Sequence, residues 1–146
     1  MKMLKSVFLS FFLLVFISCT VNEDPAVKNI KDIDENMIDL RMFHELMGDE
    51  LRIGDLEDAK WFKNGLDSVL LIVASKFDEH RKLDEPFRKS YERNLKPTLE
   101  VLGDHLENND LAASKEAYIL LTKKCNGCHK DNDIDKEVQN WLNRGQ

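Results

Sequence analysis

Strand patterns are missing from this chain, and cysteine is scarce. After residue 18 no stretch alternates apolar and polar residues over the length of a strand, and no Asn-Gly or Asp-Gly turn joins two β-branched runs. Of only three cysteines, one lies near the N-terminus and two lie in one short motif, so none is left for a structural disulfide. These absences argue against a sheet-based fold and against a disulfide scaffold.

Positive charge is scarce as well. The chain has 21 Lys and Arg against 27 Asp and Glu, which gives a formal net charge of −6, and it contains no basic run. We therefore expect no nucleic acid as a partner. Electrostatic adhesion to anionic lipid is not expected either.

No apolar run is long enough for a folded transmembrane helix. Residues 7–17 form the longest apolar run, and it follows the basic residues Lys2 and Lys5, as the apolar core of a signal peptide does. The run ends in Phe16-Ile17-Ser18-Cys19, which resembles a bacterial lipobox, where a small residue precedes the cysteine that receives lipid. An ordinary secretory signal cleaved nearby is the alternative, and both interpretations predict export.

The lipobox interpretation divides the N-terminal part of the chain. Residues 1–18 are a lipoprotein signal peptide, Cys19 is the lipidation site, and residues 19–29 are a polar tether. We expect a periplasmic protein held at a bacterial membrane, the outer membrane by preference, through its acyl anchor only.

The rest of the chain has the spacing of amphipathic helices. Four apolar stripes follow three-four alternation and predict one bundle over residues 30–131. Short connections between long helices favour an all-α, antiparallel up-down-up-down four-helix bundle. The stripes comprise Ile30, Ile33, Met37, Leu40, His44, Met47 and Leu51; Ala59, Phe62, Leu66, Val69 and Val73, widened by Leu70 and Phe77; Phe87, Tyr91, Leu95, Leu99, Leu102 and Leu106; and Leu111, Ser114, Tyr118, Leu121, Cys125 and Cys128.

Several residues mark where these helices begin, bend and end. Gly54 is a predicted C-cap, Asp55 a predicted N-cap, and residues 108–110 a turn with an N-cap. Pro97 lies inside the third stripe and should disturb that helix locally. The tail, residues 132–146, is polar apart from a few apolar side chains, and we expect at most a short extra helix on the bundle end.

The motif Cys125-Asn126-Gly127-Cys128-His129 is typical of covalent haem attachment. Two thiols can add to the two vinyl groups of a haem, and the adjacent histidine can ligate the iron. Covalent attachment suits an exported protein, because a haem that dissociates outside the cell is lost. The motif predicts one haem c per chain, with Cys125 and Cys128 as anchors and His129 as the proximal ligand.

Two other interpretations of this motif are weaker. A redox Cys-x-x-Cys needs the N-terminal end of a helix, which lowers the thiol pKa, whereas this motif ends a long helix. A structural zinc site needs four ligands, and the fourth would have to come from a distant residue, namely His44, His80 or His105.

A bundle with Cys-x-x-Cys-His on its fourth helix resembles the cytochrome c-prime family, and also the soluble b-type bundle cytochromes. The resemblance covers roughly residues 30–131 and includes the stretch Ile33-Asp34-Glu35-Asn36-Met37-Ile38-Asp39-Leu40. In the b-type relatives, a methionine in a similar stretch is the distal iron ligand, which implies this role for Met37. Cytochrome c-prime proteins usually carry an aromatic-Arg pair after the motif, and here Lys130-Asp131 stands there instead.

The sixth iron position decides between two functions. Ligation by Met37 closes the site and favours electron transfer. The resemblance to cytochrome c-prime implies the alternative, a five-coordinate iron that binds or senses small gases such as nitric oxide. A methionine on a helical stripe is also a common core residue. His44 shares the stripe, two turns further on, and is predicted to be a hydrogen-bonded core histidine.

We therefore expect an electron carrier and not an enzyme. Its partners would be membrane-associated redox proteins. Bundle cytochromes often dimerise through their first two helices, so the resemblance also allows a homodimer, in which Trp61 either lies at the interface or simply caps the core. A metal-binding lipoprotein without haem is a third possibility.

Overall fold

The computed structural model describes residues 25–77 and 85–143, with side chains from Ile33 onward. The predicted signal peptide, the lipidation site Cys19 and His80 lie outside the described residues. Within the described ranges every regular element is helical and there is no strand, so the all-α prediction is confirmed. None of the described helices is long and apolar enough to cross a membrane.

The helices follow one another with short connections. The elements are α1 (Pro25–Ile53), α2 (Leu56–Lys76), α3 (Phe87–Ser90), a π-helical turn (Tyr91–Leu95), α4 (Lys96–Glu107), α5 (Leu111–Asp131) and a 3₁₀ turn (Trp141–Asn143). Helix α1 packs on α2, α4 packs on both α2 and α5, and α5 also contacts α1. This is the packing of a helical bundle.

Two tight turns have the residues that their geometry requires. Gly54 ends α1 with φ at 93°, in the left-handed region that glycine adopts without strain. Asp55 then caps α2, because its Oδ1 accepts from the backbone N–H of Asp58 at 3.1 Å. Asp110 caps α5 in the same way, accepting from Ala113 at 3.0 Å. All three predicted caps are confirmed.

The four predicted stripes form the core. Every stripe position with a described side chain is buried or half-buried. Met47, Leu51, Leu102 and Leu121 are fully buried, and each such side chain stabilises the fold by about 1.5–3 kcal/mol relative to an exposed one. The three-four spacing therefore located the core correctly.

The boundaries differ from expectation in three places. Helix α1 begins at Pro25, so residues 25–29 of the predicted tether are helical; proline suits a first helical turn. The third segment contains the π-helical turn, where Lys96 N–H donates to the carbonyl oxygen of Tyr91. Pro97, predicted to disturb this helix, follows at once and has no N–H to donate. The described tail has only the 3₁₀ turn.

Candidate functional site

The Cys-x-x-Cys-His motif occupies the last two turns of α5. Cys125, Cys128 and His129 are three and four residues apart, a spacing that places them on one side of a helix. Both thiols are free and half-buried. A Cβ added at Gly127 would meet nothing within 4 Å, so the motif borders open space. Two free thiols and an imidazole thus lie on one side of α5, beside an accessible surface.

The environment of the thiols does not favour redox catalysis. Burial raises the pKa of Cys125 to about 12, and the neighbouring Cys128 thiol adds to this effect. Burial also raises the pKa of Cys128, although hydrogen bonds with Ser90 and Asn132 partly offset it. Reactive dithiols need a low thiol pKa, which a helix N-terminus provides and a helix C-terminus does not.

His129 has one ring nitrogen engaged. Its Nδ1 lies 2.7 Å from the backbone carbonyl oxygen of Lys136. A carbonyl oxygen can only accept, so Nδ1 carries the proton and donates it. Within the described part of the chain, Nε2 makes no hydrogen bond. This is the arrangement of a metal-binding histidine, in which the second nitrogen is held by a carbonyl and the first is left for the metal.

The segment that supplies this carbonyl, residues 132–143, is named here the C-terminal strap. It folds back along α5, where the side chain of Asn126 bonds to both backbone groups of Val138. The amide Nδ2 donates to the Val138 carbonyl oxygen at 2.9 Å, and Oδ1 accepts from the Val138 N–H at 2.6 Å. The roles of Asn126 and Lys136 were not predicted from the sequence. Asn126 occupies a variable position of the motif, and Lys136 acts through its backbone carbonyl, which every residue has.

Met37 lies on α1, half-buried against the same core. The exposed fraction of Met42, one turn further along α1, is 46%. A hydrogen bond between His44 on α1 and Thr122 on α5 sets the register between these helices. Met37 precedes His44 by seven residues, and His129 follows Thr122 by seven residues. Each pair is separated by about 10 Å along its helix, at ~1.5 Å per residue.

His44 is a hydrogen-bonded core histidine, as predicted. Its exposed fraction is 2%, and burial lowers its pKa to about 4. The Thr122 hydroxyl donates to the Tyr118 carbonyl oxygen at 3.0 Å, so the Nε2–H of His44 must donate to Thr122 Oγ1. The Tyr118 hydroxyl lies 3.1 Å from Nδ1 and can donate to it. The neutral ring is therefore satisfied at both nitrogens and is not available to a metal.

The zinc interpretation finds no fourth ligand among the described residues. Both nitrogens of His44 are occupied, and His105 lies near the turn before α5. Its carbonyl oxygen accepts from Asp110 N–H, and Asp110 is fifteen residues from Cys125, about 22 Å along a helix. The structure therefore weakens this alternative.

A separate group of carboxylates lies at the turn between α1 and α2. Glu50, Asp55 and Asp58 have oxygens within 4.8 Å of one another. They adjoin an open depression of about 520 Å³ lined by residues 53–57 and Asn109. This end of α1 and α2 is remote from the cysteine motif, and exposed carboxylate clusters are common without any ligand.

Comparison with known proteins gives no match, since no family model, no characterised protein and no solved structure is similar to this chain at a significant level. The function of this chain therefore has to be inferred from the residues of the site.

Proposed function

We propose that this chain is an exported monohaem c-type cytochrome that transfers electrons. Cys125 and Cys128 would hold one haem through thioethers, with His129 and Met37 as axial ligands. The observation that carries the proposal is the Nδ1–H bond from His129 to the Lys136 carbonyl oxygen, beside two free thiols. It fixes the tautomer that an iron-binding histidine needs.

The residues of the motif fit a covalently attached haem. The two thiols are one helical turn apart and unpaired, and the histidine that follows them has a free Nε2. Bound haem supplies a ferric/ferrous couple for one-electron transfer. The chain itself has three tasks: Cys125 and Cys128 anchor, His129 ligates, and the strap orients the His129 ring.

We propose an antiparallel, up-down-up-down bundle of the cytochrome c-prime type. Contact pairs between helices support it, because residue numbers rise along one helix as they fall along its partner. The pairs are Glu50 with Asp58 and Phe43 with Gly65 for α1 and α2; Lys60 with Glu107 and Asp67 with Tyr91 for α2 and the third segment; and Gly54 with Leu111 and His44 with Thr122 for α1 and α5.

The same register supports Met37 as the distal ligand. In an antiparallel pair, the residue seven positions before His44 and the residue seven positions after Thr122 lie at the same level of the bundle. These residues are Met37 and His129. With its thioether sulfur as an iron ligand, Met37 would close the iron to small gases and favour electron transfer.

Export and lipid anchoring complete the proposal. The signal peptide 1–18 and Cys19 would place the protein at the periplasmic face of a bacterial membrane, near membrane-associated redox partners. Removal of residues 1–18 would take away Lys2 and Lys5 and change the formal net charge from −6 to −8. Such an acidic chain suits docking to a basic partner. Neither nucleic acid binding nor enzymatic chemistry is part of the proposal.

Absorption spectra of the matured, purified chain test this function. A Soret band with a low-spin ferric spectrum and a methionine-sulfur charge-transfer band is the expected result. A high-spin ferrous protein that binds carbon monoxide readily would support the gas-binding alternative instead. Absence of a Soret band after expression with a haem-attachment system would contradict both. His129→Ala should abolish the normal spectrum, whereas the matched control His105→Ala should leave it unchanged.

A further inference from the structure

We infer that the C-terminal strap positions the ring of His129. Two hydrogen bonds between the side chain of Asn126 and the backbone of Val138, the latch, hold the strap in place. The inference rests on the proposed function, because it concerns the histidine proposed to ligate iron. Three contacts support it: Lys136 with His129, Val138 with Asn126, and Trp141 with α1 and α5. All three lie within six residues of strap.

Elsewhere the strap is held mainly at its two ends. At its start, the N–H groups of Asn132 and Ile134 donate to the carbonyl oxygen of His129 at 3.3 and 2.9 Å. No residue of the described strap is buried, although Trp141 and Leu142 are half-buried at its far end. There the Trp141 backbone N–H bonds to the Tyr118 hydroxyl. A Cβ added at Gly48 would lie only 2.8 Å from Trp141 Cβ, so this glycine permits the close approach. Between that end and α5, the strap is fixed by hydrogen bonds.

On the C-terminal side of Lys136, the strap is held by Asn126. Its amide engages both the N–H and the carbonyl of Val138, and this fixes the strap two residues beyond Lys136. With Val138 held, the Lys136 carbonyl oxygen is directed at His129 Nδ1. Asn126 therefore acts on the iron ligand through the strap. It is a positioning residue, since its side-chain hydrogen bonds go to Val138 and not to His129.

The consequence for His129 is a fixed tautomer that leaves Nε2 for a metal. A carbonyl acceptor at Nδ1 favours the Nδ1–H form and increases the electron donation of the ring to a metal. A stronger electron donor stabilises ferric over ferrous iron. Loss of the latch should therefore randomise the tautomer in the unloaded chain and raise the reduction potential in the loaded one.

The first experiment uses the full chain expressed without haem. Long-range ¹H–¹⁵N spectra should show His129 mainly as the Nδ1–H tautomer in the parent chain, and this preference should be lost in Asn126→Ala. Exchange of the Val138 amide proton should be at least tenfold faster in that variant. Asn126→Asp keeps the acceptor for Val138 N–H and should slow exchange again. The matched control Asn64→Ala, at an exposed position on α2, should change neither signal.

The second experiment uses the haem-loaded chain. Asn126→Ala should shift the ferric-to-ferrous ratio towards ferrous by up to tenfold, equivalent to about 59 mV for one electron. Asn64→Ala should leave the potential unchanged. Circular dichroism of each variant shows whether the helices remain folded. A change in potential caused by unfolding is thereby distinguished from one caused by loss of the Asn126 hydrogen bonds.

The two proposals fail in different ways. If the parent chain attaches no haem, the cytochrome proposal is wrong, and the tautomer of the unloaded chain still decides the role of the strap. If Asn126→Ala leaves the His129 tautomer and the Val138 exchange as they are in the parent chain, the latch is refuted, even with a normal haem spectrum.

Discussion

His44 on α1 and Thr122 on α5 are joined by a hydrogen bond of 2.9 Å inside the core. Each is seven residues from a proposed iron ligand, Met37 on one helix and His129 on the other. The bond therefore fixes the relative height of the two helices where the haem would be held. The hydroxyl of Tyr118, one turn before Thr122 on α5, also bonds to His44 and supports the same register.

Replacement of Met37 tests the distal ligand. Met37→Ala should remove the methionine-sulfur charge-transfer band and give high-spin, carbon monoxide-binding haem, because no thioether then reaches the iron. The control Met42→Ala removes an exposed methionine from the same helix and should keep the parent spectrum. An unchanged low-spin spectrum in Met37→Ala would assign the sixth position to another residue.

Acidification tests the buried histidine. The pKa of His44 is about 4 in the folded chain against 6.5 unfolded, because burial disfavours the charged ring. Between these values the unfolded chain binds a proton that the folded chain does not, so the free energy of unfolding falls as the pH falls. The loss is up to about 3 kcal/mol. Denaturant titrations from pH 7.5 to 4 measure it.

Carboxylates also titrate in this range, so the measurement needs a control. His44→Gln keeps a donor and an acceptor but cannot take up the proton. Its free energy of unfolding should fall less steeply with pH than that of the parent chain. Parallel curves for the two proteins would show that His44 is already solvated or charged in the fold.

Replacement of two helix glycines by alanine should change the stability of the chain in opposite directions. A Cβ at Gly65 would lie 2.5 Å from Cε1 of the Phe43 ring, so Gly65→Ala should destabilise by about 1–3 kcal/mol. A Cβ at Gly103 would be 3.4 Å from Nζ of Lys63, at the end of a long side chain that can shift, and Gly103→Ala should stabilise by about 0.5–1 kcal/mol. Thermal unfolding measures both. Equal effects would mean that the Phe43 ring does not pack over Gly65.

Removal of the two buried hydroxyls of α5, those of Ser114 and Thr122, should also change the stability in opposite directions. Ser114 Oγ is fully buried and has no hydrogen-bond partner among the described atoms. Ser114→Ala should therefore stabilise the chain, by roughly 1 kcal/mol. Thr122→Val removes a hydroxyl that bonds to both His44 and Tyr118 and should cost about 1–3 kcal/mol. A destabilised Ser114→Ala variant would imply a bound water at that hydroxyl.

The core and the helix ends were predictable because their signals are local or periodic. Three-four spacing located the buried faces, and Gly54, Asp55 and Asp110 marked the turns through their backbone chemistry. His44 was predicted as a core histidine from its place on a stripe. The π-helical turn before Pro97 was foreseen only as a local disturbance, since proline shows where a bond is lost and not how the backbone adapts.

The strap was not predictable for the opposite reason. Asn126 and Val138 are twelve residues apart, and their bonds join a side chain to a backbone that any residue could supply. The partner of His129 is likewise a backbone carbonyl oxygen, which every residue has and no sequence pattern identifies. Such contacts depend on how an irregular segment returns to the bundle, and periodicity does not encode that path.

Mass spectrometry of the natively matured chain tests the central claim most directly. We predict a polypeptide heavier by one haem, with the adduct on the peptide that contains Cys125 and Cys128 and no free thiol at either position. Recovery of that peptide with two free thiols and no porphyrin would contradict the account.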